Sequence, residues 1–355
     1  MTRSLPAPDH AAAGALPPEA PAAAPARSAP PGLLVSAALS TVYVVWGSTY
    51  LALRVLVETI PPLVSTGTRF LLAGTLMLGV LALRRRTVRI TRREALSCLV
   101  VGSLMMGAVA TVATAEQDVP SNLAALLVAC VPLWVLVLRR LGGEQIAPRL
   151  VLAVLLGFAG VGLLLQPGGQ TGGAPLLSLL LVVCATPAWA LGSYLSRQVA
   201  LPAQPLVSVG WQMVLGGSAV TLAGVVAGEP WAVDFGAFST DSIVAWLYLV
   251  LIGSALAFTA YAWLLQNAPI SRVATYAYVN PVVAIALGYL ILDEAVTGLT
   301  VAGAAVIVLA VWVVVRGESK REYRFRLPGE PLVPRAHLRR RYDSNGRSNN
   351  VDSTI

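Results

Sequence analysis

The chain has 355 residues, 56% of them hydrophobic and only 12% charged, with a formal net charge of +8. Soluble domains carry about 25% charged residues, so this composition excludes a disordered chain and argues against a soluble enzyme. Long apolar stretches between the charges also argue against a nucleic-acid surface, and the chain reads as an integral membrane protein. Residues 1–32 hold eight Pro and eleven Ala and lack the apolar core of a signal peptide, so a disordered cytoplasmic tail is expected there. Ten apolar runs follow, at about 33–53, 63–83, 95–115, 119–138, 149–166, 175–196, 206–228, 243–265, 270–292 and 297–315. Each is close to the ~20 residues that cross a hydrocarbon core as helix. The runs are continuous rather than alternating, which excludes a transmembrane β-barrel. Residues 316–355 form a second cytoplasmic tail with ten Lys/Arg against five Asp/Glu, either solvated or touching anionic headgroups.

Residue types narrow the chemistry. Of the 25 basic residues, 24 are Arg, and the single Lys, Lys320, lies in the C-terminal tail. A phosphate-binding loop needs a Lys beside it, so ATP-driven transport within this chain is excluded, as are Schiff-base cofactors. The two His, His10 and His337, lie in the tails, leaving no helical zinc motif. No cofactor and no metal are expected. Cys98, Cys130 and Cys184 fall inside apolar runs and are expected to be buried free thiols. With a cytoplasmic N-terminus, 23 of the 25 basic residues fall on the cytoplasmic side, including Arg84, Arg85, Arg86, Arg89, Arg92 and Arg93. This bias predicts both termini inside.

The two halves repeat each other. Pro62-Leu63-Val64-Ser65 recurs as Pro205-Leu206-Val207-Ser208, and the same offset of 143 joins Trp46 to Trp189 and Arg54 to Arg197. Later the offset becomes 149, pairing Gln117-Asp118-Val119-Pro120 with Gln266-Asn267-Ala268-Pro269 and Pro132 with Pro281; at 150, Glu144 pairs with Glu294. Five spans per repeat is an odd number, so the second repeat enters from the opposite side. The fold class is all-α integral membrane: ten transmembrane helices as two five-helix inverted-topology repeats, residues 33–166 and 175–315. Such repeats are the architecture of many secondary transporters.

These residues resemble a known family. Trp46-Gly47-Ser48-Thr49-Tyr50, Arg69-Phe70, Ala124-Ala125 with Pro132-Leu133, Trp189-Ala190-Leu191-Gly192-Ser193, Asn280-Pro281 and Asp293-Glu294 look like the EamA-type family of the drug/metabolite transporter superfamily. Within it the pattern is most similar to the YedA-like permease branch. The resemblance implies ten helices, an inner-membrane location and export of small metabolites or drugs. It also marks Glu144 and Glu294 as cappers of the helices that follow them.

Arg69 lies about six residues into the second span, where a cation is costly unless it meets a cavity or a partner. It is read as an anchor for a substrate carboxylate or other anion, the alternative being a salt bridge to Glu58 or Glu116 or hydrogen bonds to a helix end. Its repeat mate is the uncharged Gln212. Trp46, Tyr50, Trp189, Tyr194, Tyr261 and Tyr276 are deep aromatics suited to a pocket for an amphipathic solute, with helix packing as the plainer role. Asn280 needs an amide partner in the bilayer and is read as facing the lumen. Pro132 and Pro281 are read as hinges, and Gln117 and Gln266 as caps or gates at the two openings. Gly157 and Gly160 with Ala153, Gly224 with Gly228, and Gly298 with Ala302 form small-residue faces, for packing within the bundle or for a homodimer. The expected partners are a small-molecule substrate and the lipid bilayer, with no nucleic acid. The expected function is a secondary transporter working by alternating access. A membrane-embedded sensor or scaffold and an intramembrane lipid-modifying enzyme are the alternatives.

Overall fold

The computed structural model describes residues 32–165, 173–231, 235–268 and 270–324. The N-terminal tail before Gly32, the C-terminal tail after Arg324, most of the 167–174 connection and Pro269 lie outside the described residues. Every regular element among the described residues is helical: α1 (Gly32–Leu56), α2 (Pro62–Leu83), α3 (Arg92–Ala115), α4 (Ser121–Val128), α5 (Val131–Leu141), α6 (Pro148–Leu164) and α7 (Leu176–Leu195). Then come α8 (Pro205–Val226), α9 (Thr240–Tyr248), a π-helical stretch (Leu249–Leu256), α10 (Ala257–Asn267), α11 (Ile270–Val273), α12 (Tyr276–Ile291) and α13 (Gly298–Arg324).

Local sequence sets the helix starts. Pro62, Pro148 and Pro205 sit in first turns, where a missing N–H costs nothing. Thr91 and Glu94 form a reciprocal capping box on α3. Ser239 accepts from the Ser242 N–H to start α9.

Eight helical stretches are long and apolar enough to cross a membrane; α4–α5 and α9–α10 each count as one. The other two apolar helices, α6 and α12, have 17 and 16 residues, so two of the ten runs are shorter than the sequence suggests. The ninth run divides because Thr275 turns its hydroxyl and its N–H onto the Arg272 carbonyl, ending α11 before α12 begins. The fourth divides at Ala129–Cys130, two residues ahead of Pro132, which has no N–H for the Val128 carbonyl. Pro281, by contrast, lies inside α12.

A belt of large apolar side chains faces outward, among them Leu72, Leu155, Leu156, Leu180, Leu222 and Leu309. Such a surface suits lipid, not water. Cys184 belongs to this outer face. It is exposed on α7, which corrects its assignment as a buried thiol, whereas Cys98 and Cys130 are buried.

Among the helix pairs that join the halves, two are closed by small residues at repeat-related positions. In the α2–α8 seam, a Cβ on Gly67 would stand 2.8 Å from the Gly217 carbonyl, and one on Gly74 would stand 2.7 Å from the Gly210 carbonyl. The offset of 143 exchanges these two contacts. In the α6–α13 seam, Gly157 meets Ala310 and Gly160 meets Ile307, and the offset of 150 exchanges them. Ala153, Gly157 and Gly160 therefore pack inside the bundle, and Gly224 packs on Leu63 and Val64. Gly298 and Ala302 are exposed.

The connections sort by charge. One end of the bundle carries Glu58, Glu116, Asp118, Glu229, Asp293 and Glu294, and contacts such as Thr59–Ser239 and Ser178–Asp118 tie it together. The other carries Arg84 to Arg93, Arg139, Arg140 and Arg149. There Trp211 Nε1 donates to the Val88 carbonyl at 2.8 Å.

Candidate functional site

A cavity of about 1000 Å³, its mouth included, lies between the halves. Several of its walls come in repeat-related pairs: Trp46 and Trp189, Val109 and Phe258, Val128 and Ala277, Pro132 and Pro281. Residues at repeat-related positions of the sequence therefore share this cavity, which gives its lining a partial symmetry.

Two polar liners break that symmetry. Arg69 is only 4% exposed, and its Nε and one Nη have no hydrogen-bond partner. It lies seven residues into α2, roughly 10 Å along the axis at 1.5 Å per residue. Its guanidinium stacks over the neighbouring Phe70 ring at 4.3 Å. Neither Glu58, which is exposed, nor Glu116 bonds to it, so the salt bridge considered from sequence does not form. Its mate Gln212 lies outside the cavity and donates to Ser208 Oγ at 2.9 Å. Asn280, 8% exposed, leaves its amide oxygen without a donor, and its repeat mate is the apolar Val131. The cavity thus offers one unsatisfied cationic donor and one unsatisfied neutral acceptor. Unpaired buried groups of this kind are costly and ready for a ligand.

An aromatic wall completes the site. Trp46 contacts Phe258, Tyr261 and Tyr276 at ring-centroid distances of 5.1, 5.0 and 5.1 Å. The structure places Trp46, Tyr50, Arg69, Trp189, Tyr276, Asn280, Pro132 and Pro281 on the cavity. Four sequence candidates lie elsewhere. Tyr261 stands behind Trp46 and bonds to Tyr276. Tyr194 sits beside Gly142 at the basic end. Gln117 is exposed at the acidic end, where its carbonyl accepts from Arg54 at 2.6 Å. Gln266 is exposed at the end of α10. The prolines act through what they lack, since Pro281 leaves the Ala277 carbonyl without its helical donor and both residues line the cavity. Thr49 and Phe70, which the sequence marks only as part of the family-like motifs, also line it, as do Thr186, Gly253 and Phe258, which it does not mark as site residues. Phe258 was legible as the repeat mate of Val109, but no sequence signal marks Thr186.

Above the cavity, the acidic end is fastened by glutamates. Glu294 accepts from the Ser121 and Asn122 N–H groups at 2.6 and 3.0 Å and from Ser121 Oγ at 3.1 Å. It therefore caps α4 of the first half, not the helix that follows it. Gly288 makes room, since a Cβ there would stand 2.4 Å from Glu294 Oε2. Glu229 likewise accepts from Leu63 and Val64 N–H at 3.0 and 2.7 Å, at the start of α2. Glu144, the mate of Glu294, is bound by Arg139 at 2.7 Å.

Comparison with known proteins follows this geometry. The sequence pattern of the EamA-like transporter family matches residues 33–166 and again 176–316. The chain belongs to the EamA-like transporter family. The EamA-like chain is 34% identical over 299 residues to the uncharacterized inner membrane transporter YedA of Escherichia coli K12, covering 83% of this chain and 93% of that one. It is 24% identical to a probable amino-acid metabolite efflux pump of the same strain, covering 78% and 93%. A solved crystal structure superposes with a TM-score of 0.56 at 20% identity, over 81% of this chain and 98% of that one, which shows a shared fold. The family and the apolar helices make this a multi-pass membrane protein of the drug/metabolite transporter superfamily, a transporter by family rather than an enzyme.

Proposed function

We propose that this chain is an inner-membrane secondary transporter that moves a small carboxylate-bearing metabolite, amino acid or drug by alternating access. Its ten spans are the eight long helical stretches together with α6 and α11–α12. They form two inverted five-helix repeats, with both termini on the cytoplasmic side. The exchanged contacts in both seams support this reading, because a two-fold relation between the halves lets one central site open to either face. The basic end is then cytoplasmic and the acidic end external.

The observation that carries the substrate class is the pair of unsatisfied groups in an aromatic cavity. Arg69 binds a carboxylate by its planar fork. Asn280 Oδ1 accepts a donor such as an ammonium or hydroxyl, and Trp46 and Tyr276 cover a flat apolar body. The relative named an amino-acid metabolite efflux pump agrees with a solute of this kind. Efflux from cells loaded with a panel of carboxylate-bearing solutes tests the reading. Arg69→Ala should lower transport about 10- to 100-fold, the loss of a charge-assisted contact, and Arg69→Lys should retain an intermediate rate. Unchanged transport in both variants would overturn the anchor. A tag in the 167–174 connection should be reachable from outside, and a purely cytoplasmic signal would reverse the orientation.

A further inference from the structure

Glu116 closes α3 at the acidic end and is fully buried. Neither of its carboxyl oxygens has a donor. Its backbone carbonyl is taken by the Arg54 guanidinium from α1, which does not bond to its carboxyl group. The charged and titratable groups that face it are Arg54 and Tyr50 of α1, Arg69 of α2, and Glu294 from the connection between α12 and α13. Tyr50 and Arg69 both line the cavity. A buried carboxyl group with no hydrogen-bond partner therefore lies within electrostatic reach of the candidate anion anchor.

The charge balance of this wall constrains what can happen there. Arg54 and Arg69 oppose Glu116 and Glu294, so with all four ionised the cluster is neutral. A carboxylate solute arriving at Arg69 adds one negative charge in a region where uncompensated charge is costly. Neutrality returns when one carboxylate becomes an acid. Glu294 already accepts from three donors, whereas the Glu116 carboxyl group accepts from none.

We propose that Glu116 is the proton site coupled to solute binding: a proton joins its carboxylate as a solute carboxylate joins Arg69, and leaves as the solute leaves. This rests on the reading of Arg69 as the anchor. The proton comes from a hydronium ion on the side to which the cavity is open: its O–H bond breaks as one forms at Glu116, a water molecule is left, and no electron is transferred. Solute and proton then travel in the same direction, and acidifying one side drives solute away from that side.

Two measurements on the purified full-length protein test this. Titration calorimetry with phenylacetate and with phenylalanine, in two buffers of different ionisation heat, counts protons exchanged on binding. Wild type should take up about one proton per molecule bound; Glu116→Gln should take up none, and Glu116→Asp should restore uptake. Uptake unchanged in Glu116→Gln, or binding to wild type without uptake, would overturn the proposal. Infrared titration of the unliganded protein separates its failure from failure of the anchor. A protonated-carboxyl band should appear with falling pH, vanish in Glu116→Gln and be displaced in Arg69→Gln. A spectrum indifferent to both substitutions overturns the proton site even where a probe binds. The expected band with no binding of either probe would refute the carboxylate anchor and, with it, the coupling.

Discussion

At the acidic end, Glu229 and Glu294 each receive backbone N–H groups from a helix of the other half, whereas Glu116, fully buried near them, receives none. Arg69 and Asn280 in the cavity share the condition of Glu116, each keeping polar atoms that nothing in the protein satisfies. The chemistry of the three glutamates is identical, so the difference lies in what surrounds them. Glu229 and Glu294 sit where helix N-termini end in open donors, and their charge is spent on fastening the halves. Arg69 and Asn280 sit inside helices, where backbone donors are already used, and Glu116 closes the C-terminus of α3, an end that offers carbonyls rather than donors. The satisfied glutamates hold the architecture, and the proposed transport roles rest on the unsatisfied Arg69, Asn280 and Glu116.

Substitutions at the two kinds of site should therefore act in opposite ways. The largest effect is expected at Arg69: Arg69→Gln should abolish most transport while the melting temperature holds or rises, since an uncompensated buried charge is removed. A clear fall in melting temperature would make Arg69 structural and erase the contrast. Glu294→Ala should show the reverse, losing about 1–2 kcal/mol of stability with its helix-capping bonds. It should also raise the labelling of a Thr49→Cys probe by an impermeant maleimide, measured without the native cysteines. Asn280→Val, which installs the residue of the other half, should weaken solute binding by about 1 kcal/mol, some fivefold, with little change in stability. The smallest effect is expected for Gly288→Ala, whose Cβ displaces the Glu294 carboxylate and should reproduce part of the Glu294→Ala labelling change. Labelling equal to wild type there would mean that the carboxylate keeps its donors by another route.

Much of the fold was legible because lipid imposes a simple rule. Spans must be long and apolar, and Arg must avoid them, so the helical runs and the odd position of Arg69 stand out in the sequence. Cavity residues read as repeat mates, Trp46 with Trp189 and Pro132 with Pro281, were legible for the same reason. Cys184 misled because an apolar run does not say which face of its helix meets lipid and which meets protein. The capping by Glu294 was illegible in a different way. Its donors, Ser121 and Asn122, are over 170 residues distant in sequence, and no local pattern links them. The full burial of Glu116 had no sequence signal either, since a glutamate at a helix end ordinarily meets water.

The π-helical stretch bears on how alike the two halves can be. Thr91 and Ser239, which cap α3 and α9, are 148 residues apart, yet Gln117 and Gln266 at the far ends of the same segments are 149 apart. The second half carries one residue more between these points, and a wider helical turn is how a helix absorbs one without breaking. The surplus residue turns Gly253 into the cavity wall, where its counterparts Leu104 and Met105 have no place. A single added residue thus makes one wall of the cavity differ from the other, so repeat-related segments line it with unlike surfaces.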